Sequence, residues 1–482
     1  MVSLQNKRVL VIGLGNSGTA ATELLLRRGA SVLALDDADN TQLKATAAKL
    51  RRAGATVRLG SNVAAEGEFD FAVVSPGVPS NNKTLQEITA RGVPVISELE
   101  LGYQHSLCLN VAITGTNGKT TTTELIDRLL QGNQTKTIAA GNIGTPISEV
   151  IEQTRELDVL TLEVSSYQLE RTEYFRPAVA VMLNITPDHM DRYTSMEEYI
   201  RAKARIFMNQ QPFDFAIIQS EALKKLQALK IEIPSKIITF SATDREADIY
   251  FDRGLLVSRM TDWSGPLLDM DKCKLRGPHN AENLMAALAV GRAFRVPLDR
   301  MVSVLASYEP APHRCEVVAE INGVTYINDS KATNVDALHK ALLSVTTRVQ
   351  GQPNVWLIAG GKDKSLEYHE LGPVLSQRVK GAFLIGETRE KIRAAWGLFI
   401  PCSVTDSLLE AVTEAARSAA LGDVVLLSPA CSSFDQFQNY QERGDVFRRA
   451  VIELQSKLPR DRAAANESRP QTQNLKPALA FL

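Results

Sequence analysis

The chain has 482 residues, 44% hydrophobic and 23% charged, a composition that suits a soluble multidomain globular protein and is too long for one core. Lys plus Arg number 54 against 55 Asp plus Glu, so nothing in the charge balance calls for a polyanion, and a nucleic-acid partner is not expected. The N-terminus runs straight into a strand with no signal-peptide apolar region, no apolar run reaches a membrane span, and the five cysteines form no C-x-x-C pair; these features predict a cytoplasmic protein without membrane insertion, disulfide frame or zinc site.

Strand and helix patterns alternate along most of the chain, which predicts an α/β architecture with parallel sheets. Residues 7–12, K-R-V-L-V-I, form a short apolar run, and G-L-G-N-S-G then opens a helical stretch. A second strand, S-V-L-A-L, ends at Asp36 and Asp37; a third, F-D-F-A-V-V, ends in Ser75-Pro76-Gly77, and this first unit closes near Ser97. Glycines at 13, 15 and 18 after a strand, with an acid about 20 residues on, meet the context of a dinucleotide fingerprint, in which helix N-terminal amides face a pyrophosphate. That physics serves any nucleotide diphosphate. NAD(P), another diphosphate ligand and a purely structural turn all remain open at this point.

The second unit begins with L-N-V-A-I-T and the loop T-G-T-N-G-K-T-T-T. A Walker A loop, G-x-x-x-x-G-K-[ST], would place its first glycine at Ile113, so the loop is one glycine short. Gly115, Gly118, Lys119 and Thr120 still supply what phosphate binding needs: a tight loop of backbone amides, a cation and a hydroxyl for Mg²⁺. Asp158–Val164, D-V-L-T-L-E-V, places Glu163 at a strand end, where Walker B acids sit, and His189 follows the apolar run A-V-A-V-M-L within N-I-T-P-D-H-M-D-R-Y. Alone, His189 would be a structural histidine. With Glu163 and phosphate oxygens it suits Mg²⁺ or Mn²⁺ better than zinc. The stretch A-S-Y-E-P-A-P-H-R is a linker, the third unit carries V-T-Y-I-N-D, N-V-W-L-I-A-G-G, G-A-F-L-I-G-E and D-V-V-L-L-S-P-A, and the polar, proline-containing residues after about Leu458 suggest a flexible tail.

Taken together, G-T-N-G-K-T-T-T, E-V-S-S-Y-Q-L-E, L-N-I-T-P-D-H-M-D-R-Y, P-H-N-A-E-N, H-R-C-E and I-N-D-S-K-A-T-N resemble the ATP-dependent Mur ligases of peptidoglycan synthesis, from residue 7 to about 455. The resemblance implies three domains: a Rossmann-like domain for the UDP substrate (1–97), a central P-loop-type ATPase domain (98–310) and a Rossmann-like C-terminal domain (311–458), followed by the tail (459–482). I-N-D-S-K-A-T-N and S-P-A-C-S-S-F-D-Q-F are similar to the branch that adds D-glutamate; the Asp-Asn-Pro-Arg motif of the diaminopimelate-adding branch does not occur.

The resemblance further implies that ATP phosphorylates the carboxylate of a UDP-muramoyl acceptor and that an amino-acid amine attacks the acyl phosphate. Gly15, Asn16, Ser17, Asp36, Asp37 and Gly77 of the first unit, with Asn142 and His189, would hold the UDP substrate. ATP would meet Gly115, Thr116, Asn117, Gly118, Lys119, Thr120, Thr121, His279, Asn280, Asn283, Arg314 and Asp329. D-glutamate would meet Lys331, Thr333, Lys364, Ser433, Phe434 and Tyr440, with Phe434 replacing an expected aliphatic residue. Two Mg²⁺ ions, replaceable by Mn²⁺, would lie on Thr120, Glu163, His189 and Lys203, the last as a carbamate, although its local sequence alone suggests a solvated helix face. Lys119, Glu163, His189 and Lys203 would carry catalysis. Because Arg314 and Asp329 come from another domain, the site would assemble on closure. The partners are small molecules and a monomer is expected. A NAD(P)-dependent oxidoreductase and a non-enzymatic ATP-gated module are the readings from other classes.

Overall fold

The computed structural model describes residues 3–60, 67–190, 192–309, 311–345, 352–364 and 366–456. The tail expected from 459 onward lies outside the described residues. The chain forms two compact units: one built on Met1–Ala311 with Leu342–Ser344 and Lys364–Glu367, the other on the remaining residues from Pro312.

The first unit holds two sheets. In the N-terminal one, β1 (Arg8–Ile12), β2 (Ser31–Asp36), β3 (Thr56–Leu59), β4 (Phe71–Val74) and β5 (Val95–Ser97) lie parallel in the order β3-β2-β1-β4-β5. The strand order reverses beside β1, so the carboxyl ends of β1 and β4 open a crevice, the usual ligand position in such sheets. The sequence reading finds three of these strands. It misses β3 and β5, which are only four and three residues long.

The second sheet comprises β6 (Leu109–Thr114), β7 (Thr137–Gly141), β8 (Val159–Glu163), β9 (Val179–Met182), β10 (Phe215–Gln219), β11 (Lys236–Ser241), β12 (Ile249–Asp252), β13 (Leu255–Ser258) and β14 (Gly265–Asp269), in the order β14-β13-β12-β11-β10-β9-β6-β8-β7. It is parallel from β7 to β12, and β12, β13 and β14 add an antiparallel meander. Every residue of β8 and β9 is buried, which accounts for their unbroken apolar runs. One core cluster runs from Val9 and Leu24 through Leu99 to Leu160, Met182 and Phe207, and so joins both sheets of this unit.

The second unit carries β15 (Glu316–Ile321), β16 (Val324–Asn328), β17 (Val355–Gly360), β18 (Val379–Ile385), β19 (Cys402–Val404) and β20 (Val424–Leu427), ordered β15-β16-β20-β17-β18-β19. Only the β15–β16 hairpin is antiparallel. Among the described residues no helix is long and apolar enough to cross a membrane.

The helix Glu98–His105, capped by Ser97, connects the two sheets of the first unit. Its Glu98 is wholly buried, accepts from the Ser148 amide at 2.7 Å and has a second oxygen without a partner. Burial pushes its carboxyl up to about 7. Because the folded pKa lies above the unfolded value, the protonated form favours the fold, and stability falls as pH rises from the ordinary carboxyl range toward about 7. Glu98→Gln is expected to raise the melting temperature at pH 8 and to change it little at pH 4, as read by thermal unfolding across pH. An equal effect at both pH values would contradict this account.

Candidate active site

The near-Walker loop occupies the switch point of the second sheet, where β6 lies between β9 and β8. Ile113 lies inside β6 and is fully buried, so the position of the missing glycine belongs to the strand and the loop is correspondingly short. Gly118 sits at φ +86° as the N-cap of the helix Lys119–Gly132, and a Cβ there would meet Asn283 Oδ1 at 2.3 Å. Only glycine meets both conditions. No side chain caps this helix, so its first amides are left for an anion. Asn184 braces the loop from the end of β9, its Oδ1 accepting from the Asn117 amide at 2.8 Å and its carbonyl from the Thr116 amide at 2.9 Å.

Two lysines converge on one carbonyl of this loop. Lys119 Nζ donates to Gly115 O at 3.0 Å and to Thr116 O at 2.8 Å, and Lys203 Nζ donates to Gly115 O at 2.8 Å. Lys203, on the helix Met196–Ala204, is 2% exposed with its Nζ over the Tyr199 ring, so the solvated-face expectation from its local sequence does not hold. Burial, and then the charge of Lys119, drive its pKa well below the usual lysine range. Asp188 and Glu163 oppose that shift. Asp188 is 5% exposed and is an acid that sequence reasoning passed over, although it immediately precedes His189.

Glu163 ends β8 as expected. One carboxylate oxygen accepts from Asn142 Nδ2 at 2.7 Å, while the other, Oε2, is buried with no partner. An uncompensated buried carboxylate oxygen fits a cation. His189 takes a left-handed backbone, φ +59°, packs its ring tilted against Tyr167 with centroids 4.9 Å apart and stands 3.7 Å from an Asp188 oxygen. Burial pushes its pKa down to about 4, with Asp188 opposing, so the ring is neutral at pH 7 and suited to a metal or a hydrogen bond. Among the described residues no cluster of three or more His, Cys, Asp or Glu side chains is poised for a metal. A hard cation here would draw most of its oxygens from phosphate and water, as Mg²⁺ commonly does.

At the crevice of the first sheet lies a cavity of about 540 Å³, lined among others by Gly15, Asn16, Ser17, Asp36, Asp37, Gly77 and Asn142. These are the residues expected at the UDP substrate, apart from His189. Asp36 spends both oxygens on the chain itself, accepting from Leu14 N at 2.7 Å and Ala38 N at 2.9 Å, and so fixes the glycine loop; exposed Asp37 is held by Asn82 Nδ2 at 2.8 Å. Asn142 therefore both lines this cavity and binds Glu163, joining the two sites.

The remaining ATP candidates of this unit fall beside the loop. Thr116 (4% exposed) shares a 3.2 Å hydrogen bond with Tyr199 Oη, Thr121 is buried, and Thr120 is half-buried. Asn283 accepts from Thr122 Oγ1 and donates to Asn280 Oδ1, with half-buried His279 next in the same helix. Lys364, which groups with this unit, is 3.3 Å from Asp188 Oδ1.

In the second unit, Asp329 is buried at the end of β16, accepting from Ser428 Oγ at 2.9 Å and Cys315 N at 3.2 Å. Burial raises its pKa to about 7, with the hydrogen bonds from Ser428 and Cys315, and then Arg314, pulling the other way. Lys331 lies 4.1 Å over the Tyr440 ring, and Ser330 Oγ donates to Tyr440 O, which draws the 330–333 and 440 segments together. Thr333 is half-buried, Ser433 is 2% exposed, and Phe434 is 67% exposed. The aromatic ring that replaces the expected aliphatic residue therefore stands largely in solvent.

Two strand–loop–helix N-termini within one compact unit place the chain among nucleotide-using α/β proteins. Three family profiles match: the Mur ligase MurD-like N-terminal domain over 7–97, the Mur ligase middle domain over 113–291 and the Mur ligase glutamate ligase domain over 313–431. A protein of Pelotomaculum thermopropionicum named UDP-N-acetylmuramoylalanine–D-glutamate ligase is 39% identical over 452 residues, covering 93% of this chain and 98% of its own. One of the same name from Koribacter versatilis is 40% identical over 470 residues, covering 94% and 99%. Among solved structures, a MurF ligase of Thermotoga maritima in complex with ADP shares the fold, with TM-score 0.59, 18% identity and coverage of 93% of this chain and 96% of that one. The chain belongs to the Mur ligase family.

Proposed function

We infer that the chain is an ATP-dependent ligase that joins D-glutamate to UDP-N-acetylmuramoyl-L-alanine, a step of peptidoglycan synthesis, acting as a cytoplasmic monomer on small-molecule substrates. The observation that carries this reading is Asn142, which lines the nucleotide-sized cavity and holds Glu163 beside the phosphate loop. A UDP-anchored acceptor lying along that cavity would bring its free carboxylate to the γ-phosphate of ATP.

The carboxylate oxygen attacks the γ-phosphorus and ADP leaves, giving an acyl phosphate. The amine of D-glutamate then adds to the acyl carbon, loses a proton and expels inorganic phosphate, so one amide forms for each ATP cleaved. The chain's task is to bring two anions together. Lys119 and the helix amides at 119–121 would hold the phosphates, and Asn142 would orient the carboxylate. Lys331, Lys364 and Ser433 would receive the side chain of D-glutamate. Magnesium, on Glu163, Thr120, His189 and a carbamylated Lys203, would supply charge neutralisation at the phosphate and carboxylate oxygens.

The amino-acid assignment rests on the match of residues 428–437 and 327–334 to the D-glutamate-adding branch. Phosphate release should be supported by D-glutamate and not comparably by L-glutamate or meso-diaminopimelate at equal concentration. Comparable release with either would overturn the assignment.

A further inference from the structure

We propose that Arg192 is a positioning residue that keeps the nucleotide-cavity loop 76–78 in register with His189 and the phosphate loop; this rests on the ligase reading above. Its guanidinium is committed in three directions. Nη1 donates to Pro76 O at 3.2 Å and Val78 O at 3.1 Å, the backbone of the loop that lines the cavity. Nε and Nη2 form a fork on Glu170, at 3.2 and 2.7 Å. Its Cζ lies 4.2 Å from the centroid of the Tyr167 ring, which is 4.9 Å from the ring of His189.

The same cluster reaches the phosphate loop by a second route. Tyr193 Oη donates to Glu170 Oε1 at 2.6 Å, its ring packs 5.2 Å from Tyr199, and Tyr199 shares a hydrogen bond with Thr116. Arg192 and Glu170 are only 16% and 23% exposed, so their pairing is partly shielded from solvent. The acceptor's nucleotide anchor and the phosphoryl-transfer site are thus tied through one planar fork. A misplacement of about 1 Å at a reacting centre can cost about a hundredfold in rate, so such a tie has kinetic consequences without touching substrate. Lysine cannot replace it fully, since an ammonium lacks both the planar fork and the stacking face.

The test uses the full chain carrying Arg192→Met, Arg192→Lys or Glu170→Gln, each checked by thermal melting. For Arg192→Met we expect KM for UDP-N-acetylmuramoyl-L-alanine to rise by about tenfold or more and kcat to fall, with KM for ATP nearly unchanged. Arg192→Lys should lie between it and the wild type. Glu170→Gln, which keeps the side-chain shape, should shift the same KM in the same direction by less, and it serves as the readout if Arg192→Met does not fold. Direct binding titrations with the UDP substrate and with a non-hydrolysable ATP analogue accompany the kinetics. If the wild type binds both without turnover, the ligase reading fails, while selective weakening of UDP-substrate binding in the variants still supports the role of Arg192. A lower melting temperature with every KM and dissociation constant unchanged would overturn the proposal, and so would equal losses for both nucleotides.

Discussion

Replacement of Lys119 by Ala is expected to abolish turnover and leave the fold intact. The side chain donates to the carbonyls of Gly115 and Thr116, groups at the rim of a phosphate cradle, and stands half-buried at the first position of the helix Lys119–Gly132. Removing it also relieves repulsion with buried Lys203, which donates to the same Gly115 carbonyl. In phosphoryl transfer the lost charge contact is worth about 3 kcal/mol or more, a rate loss of at least about a hundredfold. Steady-state ADP release alongside thermal melting checks both halves. Near-normal ATP turnover would mean that the loop at 115–120 does not hold the transferred phosphate.

The second large effect concerns Lys203. Burial and Lys119 hold its amine toward the neutral form, which is the form that adds carbon dioxide. The amine nitrogen attacks the carbon of CO2 and one proton leaves, so a group with a usual pKa of about 10.4 becomes an oxygen-donor anion that hard Mg²⁺ favours. Lys203→Ala should therefore be nearly inactive and partly restored by added acetate or formate. Lys203→Arg should stay inactive with either, because its charge still occupies the site. A 13C carbamate resonance after 13C-bicarbonate labelling, absent from the Ala variant, gives a readout independent of turnover. A fully active Lys203→Arg enzyme would falsify the carbamate.

Much of this site was legible because its residues sit where strands end. An apolar run followed by glycines or an acid marks a carboxyl edge, and Gly15, Asp36, Lys119, Glu163 and Asp329 all follow that rule in the structure. Three-residue and four-residue strands such as β5 and β3 escaped because so few positions show no periodicity. The meander β12–β14 escaped because its burial is interrupted along each strand, leaving no long apolar run. Lys203 was recoverable from its motif but not from helical periodicity, which cannot foresee a lysine buried against Tyr199 and a loop carbonyl. The ties made by Arg192 were out of reach for a different reason. Those to Pro76 and Val78 join residues more than a hundred positions apart, and no local pattern records which carbonyl a guanidinium will meet.

Coupling of ATP cleavage to the joining of two particular substrates lies at the centre of the reaction. Its most direct test measures ADP release by the purified protein with ATP and Mg²⁺, adding UDP-N-acetylmuramoyl-L-alanine and D-glutamate singly and together. Sustained ADP release only when both are present, matched mole for mole by the amide product, is the predicted result. ADP release that proceeds at the same rate without either substrate, or no release with both, would contradict it.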